Sequence, residues 1–151
     1  MIAELHESES KVSLSTEANN VNWLVANFVE RTPGVEQAVA VSSDGLLLAL
    51  SATINRSGAD RVAAIITGMR ALSQGAAAEL NKGPVVQVLI EMGSAYLFVS
   101  SISGGSTLGV VAVKNCDLGL VGYEIAMFVD RVGAQLTPSL VVELKNSLVG
   151  V

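Results

Sequence analysis

At 151 residues the chain is long enough for one domain with its own core, and too short for two comfortable ones. Half of it is hydrophobic and 15% is charged, against about 25% in an average soluble domain, so polar surface is scarce for a lone monomer and contacts with a partner are expected. Nine Lys and Arg against fourteen Asp and Glu leave a net charge of −5, which argues against a nucleic-acid binder, while the single Cys116 excludes an internal disulfide framework and fits a reducing compartment.

Residues 1–16 are polar, acidic and aperiodic, and read as a disordered tail. They lack a basic run followed by an apolar one, so no secretory signal is expected and the chain reads as cytoplasmic. From residue 17 the pattern turns helical. Val21, Leu24, Val25, Phe28 and Val29 recur on one face, with Ser15 or Thr16 as N-cap and Pro33-Gly34 as the stop. Trp23 falls on the opposite side and should face outward, the placement of an interaction anchor or of a residue lying under the tail. Two apolar runs, 35–41 and 46–50, flank Ser42-Ser43-Asp44-Gly45. An Asp-Gly pair there signals a hairpin with positive φ at both central positions.

A long helix is expected over 58–80, capped by Ser57 with Asp60 three residues on, and ended by Asn81-Lys82-Gly83-Pro84. Three strands follow, 85–91, 94–101 and 107–113, the last two parted by Gly104-Gly105. Glu91, Gly93, Ser100, Ser101 and residues 103–106 break this apolar region well below the ~20 residues of a membrane span. Asp117 caps a helix carrying Leu118, Val121, Ile125, Phe128, Val129, Val132 and Leu136, closed by Pro138. In residues 139–151, Leu140, Val141, Leu144 and Leu148 suggest a short amphipathic helix that docks on the body or on a partner. The element order implies an α+β domain over 17–138, an antiparallel sheet with helices on its faces.

The middle helix carries two stripes. At about 100° per residue, Val62, Ile65, Ile66, Met69, Leu72, Ala76 and Leu80 form an apolar stripe suited to cover the sheet. Ala64, Gly68, Ala71, Gly75 and Ala78 form a second, of small residues, well round the helix. Two mid-helix glycines cost about 1 kcal/mol each relative to alanine, and close approach of another helix, most economically that of a second subunit, would compensate.

The residue types for common chemistry are missing. The one histidine, His6, lies in the tail, so neither a Ser-His-Asp nor a Cys-His arrangement can be assembled. Metal-binding Cys and His spacings, a phosphate loop and a dinucleotide fingerprint are also missing. The carboxylates are scattered, and Cys116 reads as a small packed residue. On these residues the chain is not an enzyme and needs no cofactor or metal.

The runs Asn22-Trp23-Leu24-Val25, Phe28 through Val35, and Ala38 through Ala49 resemble the start of a Roadblock/dynein light chain domain, in its bacterial branch. Tyr96-Leu97-Phe98-Val99 and Asp117 through Glu124, with Arg131-Val132-Gly133 and Leu136-Thr137-Pro138, match the same branch, so the resemblance spans about residues 17–138. It implies a profilin-like architecture, five antiparallel strands with one helix on one face and two on the other. It also implies a homodimer in which the second strands pair edge to edge, through Leu46, Leu48 and Leu50, while the middle helices pack together through Ala64, Gly68, Ala71, Gly75 and Ala78. Members of the family act as scaffolds and regulators of small Ras-like GTPases, some bacterial ones stimulating GTP hydrolysis. In actinobacteria similar proteins share operons with a GTPase and a histidine-kinase-like ATPase. A regulator can supply an arginine finger, worth about 10³–10⁵ in rate, with Arg56, Arg61 and Arg70 as candidates. The GTPase surface is expected on the polar strip of the middle helix, around Thr67, Arg70 and Gln74. Two other readings are a sensory module holding a small ligand in the α+β core, with the 103–106 turn lining a pocket, and a purely structural adaptor.

Overall fold

The computed structural model describes residues 15–51 and 55–149, so residues 1–14 of the expected tail, His6 among them, lie outside the described residues, while Ser15 and Thr16 belong to the first helix described and not to a tail. The first helix, α1, spans Thr16–Arg31. Ser15 caps it, its hydroxyl accepting from the Ala18 N–H at 3.1 Å, and Glu143 in turn accepts from the Ser15 N–H at 2.7 Å and hydroxyl at 2.8 Å. The face that α1 buries is Ala18, Val21, Val25 and Phe28, as the periodicity requires.

Strands β1 (Val35–Val41) and β2 (Leu47–Leu50) form a hairpin whose turn departs from expectation. Gly45 alone has positive φ, at 87°, while its N–H reaches the Ser42 carbonyl at 3.0 Å and the Ser42 N–H reaches the Leu46 carbonyl at 2.8 Å. This is the longer hairpin loop, a type I turn followed by a left-handed glycine, and not the two-residue loop that wants positive φ at both Asp44 and Gly45. The Ser42 side chain stabilises it, accepting from the Leu46 N–H at 3.1 Å and donating to the Asp44 carboxylate.

Helix α2 spans Arg56–Leu80, two residues longer at its start than expected. Asn55 is the N-cap, its side chain accepting from the Gly58 N–H at 2.7 Å, whereas Ser57 is already helical and Asp60 pairs with Arg56 at 3.1 Å. Asn81, at φ 53°, ends the helix. Its N–H and that of Lys82 return to the carbonyls of Ala78 and Ala77, the paired bonds of a Schellman motif. Strands β3 (Gln87–Glu91), β4 (Ala95–Ser101) and β5 (Thr107–Val113) follow, a short 3-10 turn at Ser103–Gly105 joining the last two.

Helix α3 (Leu118–Gly133) is capped by Asp117, which accepts from the Leu120 N–H at 3.1 Å. It stops at Gly133, before Leu136. Pro138 does not close it but opens a fourth helix, α4 (Pro138–Val149), with the Thr137 hydroxyl accepting from the Leu140 N–H at 3.2 Å. Proline suits a first helical position, where its missing N–H has no partner to lose.

All strand pairs are antiparallel, in the order β2-β1-β5-β4-β3. Helices α1, α3 and α4 share one face, where Phe28 and Phe128 stack at 4.6 Å and Leu140 and Leu144 of α4 join the same core. Among the described residues, helix α2 alone covers the other face, over Val39, Val41, Leu47 and Val99. The expected class therefore holds, with the amphipathic C-terminal segment as an additional helix on the two-helix face.

The stripe by which α2 meets the sheet is Ala59, Ala63 and Ile66. Ile65, Leu72 and Leu80, expected on the sheet, point to solvent, Leu72 with 75% exposure. The cause is Gly109 on β5. A Cβ there would lie 2.3 Å from Ile66 Cδ1 and 3.2 Å from Val39 Cγ2, so Ile66 rests on bare backbone and sets the helix's rotation. Gly109→Ala should cost about 1–3 kcal/mol by overpacking. Urea denaturation should show part of that loss recovered in Gly109→Ala/Ile66→Val, whereas additive costs would mean that the two residues do not abut.

Candidate functional site

With α2 held in this rotation, the small-residue ladder lies opposite the sheet. Ala64, Gly68, Ala71, Gly75 and Ala78 are all exposed, and a Cβ added at Gly68 or Gly75 would meet nothing within 4 Å. Ile65 and Leu72, expected on the sheet, instead extend the ladder into a continuous apolar outer face.

The other expected contact set does not share a face. Residues 46, 48 and 50 would align in a regular strand, but the register slips: Ala40 pairs with Ala49 while Val41 pairs with Leu47. Leu48 is the extra residue of this bulge. Its side chain is fully buried in the core beneath α1, Leu50 turns to the α2 side, and Leu46 is exposed. Leu48 therefore offers a partner only its backbone. On the opposite edge, β3 pairs with β4 in unbroken register and carries exposed Val86 just before it and Leu89 within it. Val88 and Leu97, on the α2 side, are only partly covered. Helix α3 bears a further outward stripe of Leu120, Tyr123 and Met127, legible from its three- and four-residue spacing, and Trp23 projects outward from α1 with 63% exposure.

Thr67, Arg70 and Gln74 are not an exposed polar strip. They lie half-buried on the flank of α2, because one helical turn beyond Ile66 brings residue 70 toward the sheet. The Thr67 hydroxyl donates to the Ala63 carbonyl at 2.9 Å, Gln74 Oε1 accepts from the Val85 N–H at 3.3 Å, and Arg70 Nη1 donates to the Gly105 carbonyl. With Ser42, Ser43 and Thr107 they line a cavity of about 160 Å³ between α2 and the β1–β2 turn. Of the other arginines, Arg56 is paired with Asp60 and Arg61 is exposed.

The 103–106 turn does line a cavity, one of about 260 Å³ with Ser43, Leu136, Pro138 and Val141 as further walls. The apolar gap under α2, between Val62, Leu97 and Val111, holds about 40 Å³, far below the ~300 Å³ and more of an organic-ligand pocket. Cys116 is half-buried against the core. Among the described residues, no group of three or more His, Cys, Asp and Glu is placed to hold a metal, and no single helix is long and apolar enough to cross a membrane.

Asp44, in the β1–β2 turn, is held below the usual 3.8 first by the Ser42 hydroxyl and then by Lys145 of α4, whose Nζ lies 3.2 Å from its carboxylate. A lowered folded-state value means that the carboxylate stabilises the fold at neutral pH and stops doing so as the pH falls below 3.8. Asp44→Asn should lower the melting temperature at pH 7 and narrow its difference from wild type near pH 3, which thermal denaturation across pH will check.

A family model described as the Roadblock/LC7 domain matches residues 21–112. The chain is similar to a solved Roadblock/LC7 domain from Streptomyces avermitilis, with 36% identity, a TM-score of 0.70, and coverage of 74% of this chain and 92% of that one. It shares its fold with MglB of Myxococcus xanthus, at 16% identity and TM-score 0.71, covering 76% of this chain and 93% of that one. An MglB structure described as having a tetrameric arrangement gives 16% identity and TM-score 0.73, with 82% and 93% covered. No curated protein matches.

Proposed function

The chain belongs to the Roadblock/LC7 family, and from that premise we propose that it is a non-catalytic homodimeric platform that binds and regulates a small Ras-like GTPase. The outer face of α2 carries this reading. Two mid-helix glycines with open space above them cost about 2 kcal/mol together, and nothing within the described protomer offsets that. A second α2 laid across Ala64, Gly68, Ala71, Gly75 and Ala78 would, while also covering Ile65 and Leu72.

Of the two open sheet edges, β3 supports the pairing better than the Leu46–Leu48–Leu50 edge. Strand β2 is four residues long, bulged at Leu48 and packed by α4. Strand β3 is regular, and an intermolecular β3 pair would bring the partner's α2 toward the half of the sheet where Val88 and Leu97 are incompletely covered. An MglB of the same fold is described as having a tetrameric arrangement, which is in keeping with self-association.

Regulation of a GTPase follows from the family's known role. Arg70, engaged by the Gly105 carbonyl, is poorly posed as an arginine finger, and Arg61 is the exposed candidate. Thr67 and Gln74 would contribute at the cavity mouth by positioning, not by exposed contact. A ligand-holding core is less well supported, since the gap under α2 is too small.

Light scattering should give the wild type twice its 15.6 kDa chain mass. Gly68→Glu/Gly75→Glu should give a folded monomer that no longer binds a Ras-like GTPase, and Leu89→Arg should weaken the dimer where Leu46→Arg does not. A monomeric wild type overturns the platform. Binding by an intact dimer that is unchanged when Arg61 and Gln74 are replaced by alanine overturns the proposed GTPase surface.

A further inference from the structure

We propose that the cavity between α2 and the β1–β2 turn is a binding site for a small oxyanion, a phosphate or a carboxylate, held by Arg70. A guanidinium cannot shed its proton, so Arg70 brings a fixed positive charge into a half-buried position. Its one acceptor among the described residues is neutral, the Gly105 carbonyl, and its buried Nε has none. No described carboxylate forms an ion pair with it. A half-buried cation that meets one neutral oxygen and no carboxylate is a setting that an incoming anion complements.

The walls suit that occupant. Gln74 gives its oxygen to the Val85 N–H, which leaves its NH₂ to donate, and the hydroxyls of Ser43 and Thr107 stand on the same cavity. No carboxylate among the described residues lines it. Asp44, the nearest in sequence, is turned to Ser42 and Lys145. Gly105, at φ 96°, sets its backbone against Ser43, where a Cβ would approach the Ser43 Cβ to 3.2 Å, and this tight fit fixes the carbonyl that orients Arg70. At about 160 Å³ the cavity has room for several waters, enough for one phosphate or short carboxylate. The site lies within one protomer but borders the surfaces proposed above, since Thr67 and Gln74 belong to the GTPase surface and Ala71 of the small-residue ladder lines the same cavity.

The test is an NMR titration of the full chain with sodium phosphate and, separately, sodium succinate, at ionic strength held constant with chloride. Binding should shift the Arg70 Nε–Hε signal and the Gln74 side-chain amide together and saturably, and whichever anion saturates at lower concentration identifies the source. Arg70→Gln should abolish the shifts. Gln74→Glu, which keeps the acceptor for Val85 while placing a negative charge on the wall, should abolish them with the fold intact. Ser43→Ala, which keeps the Cβ against Gly105, should weaken binding about three- to tenfold. Absence of a saturable shift with either anion overturns the proposal, and so does unchanged binding by folded Gln74→Glu.

Discussion

The contact of Ile66 with the unadorned backbone of Gly109 governs how α2 lies, and most of what the molecule offers to others follows from that rotation. With Ile66 turned into the sheet, residues one and two turns on, Arg70 and Gln74, fall along the flank that meets the Gly105 and Val85 backbones. The opposite side of the cylinder is left to Ala64, Gly68, Ala71 and Gly75. A rotation of a quarter turn would have buried Leu72 and Ile65 and pushed Arg70 out of its cavity. The preference for this arrangement lies in fit, since a helix seated on glycine and alanine comes closer to the sheet than one propped on leucine.

The sheet's two faces are served unequally. Three helices pack one of them, joined by the Phe28–Phe128 stack and the fully buried Val21, Val25, Ile125 and Leu144. The other has one helix, and it leaves apolar side chains of β3 and β4 half-open. Low charge content is explained by this imbalance: hydrophobic residues surplus to the protomer's own core collect on α2 and on the β3 edge.

Most elements were legible because each was announced by local chemistry: Ser15 and Asp117 as caps, Asn81 and Gly83 as a stop, and apolar period for α1 and α3. The errors came where a tertiary contact outweighed a local rule. The apolar arc of α2 points between its true buried line and solvent, because the arc averages large side chains, and Gly109, distant in sequence, selects Ile66 alone. The bulge at Leu48 carries no residue signature, so the run 46–50 did not show that Leu46, Leu48 and Leu50, the edge implied by the resemblance, face different ways. Pro138 was read as an end when it is a beginning, a choice that Thr137 decides by capping the next helix. Of the candidate site, the small-residue ladder was visible in the spacing alone. The cavity was not, since it is assembled from the β1–β2 turn, the 103–106 turn and α2, which only the fold brings together.

The clasp between Ser15 and Glu143 joins residues 128 positions apart. Made at the outset of the first helix by a side chain on the last, it ties folding to the order of synthesis. As the chain leaves a ribosome, α1 emerges early with its N-terminal amides only partly satisfied, and it waits for α4 before that clasp can close. Non-local closure of this kind is slow and commits the domain late. During that interval the apolar faces of α1 and β2 stay open to whatever is nearby, so α4 works as a seal on the three-helix core.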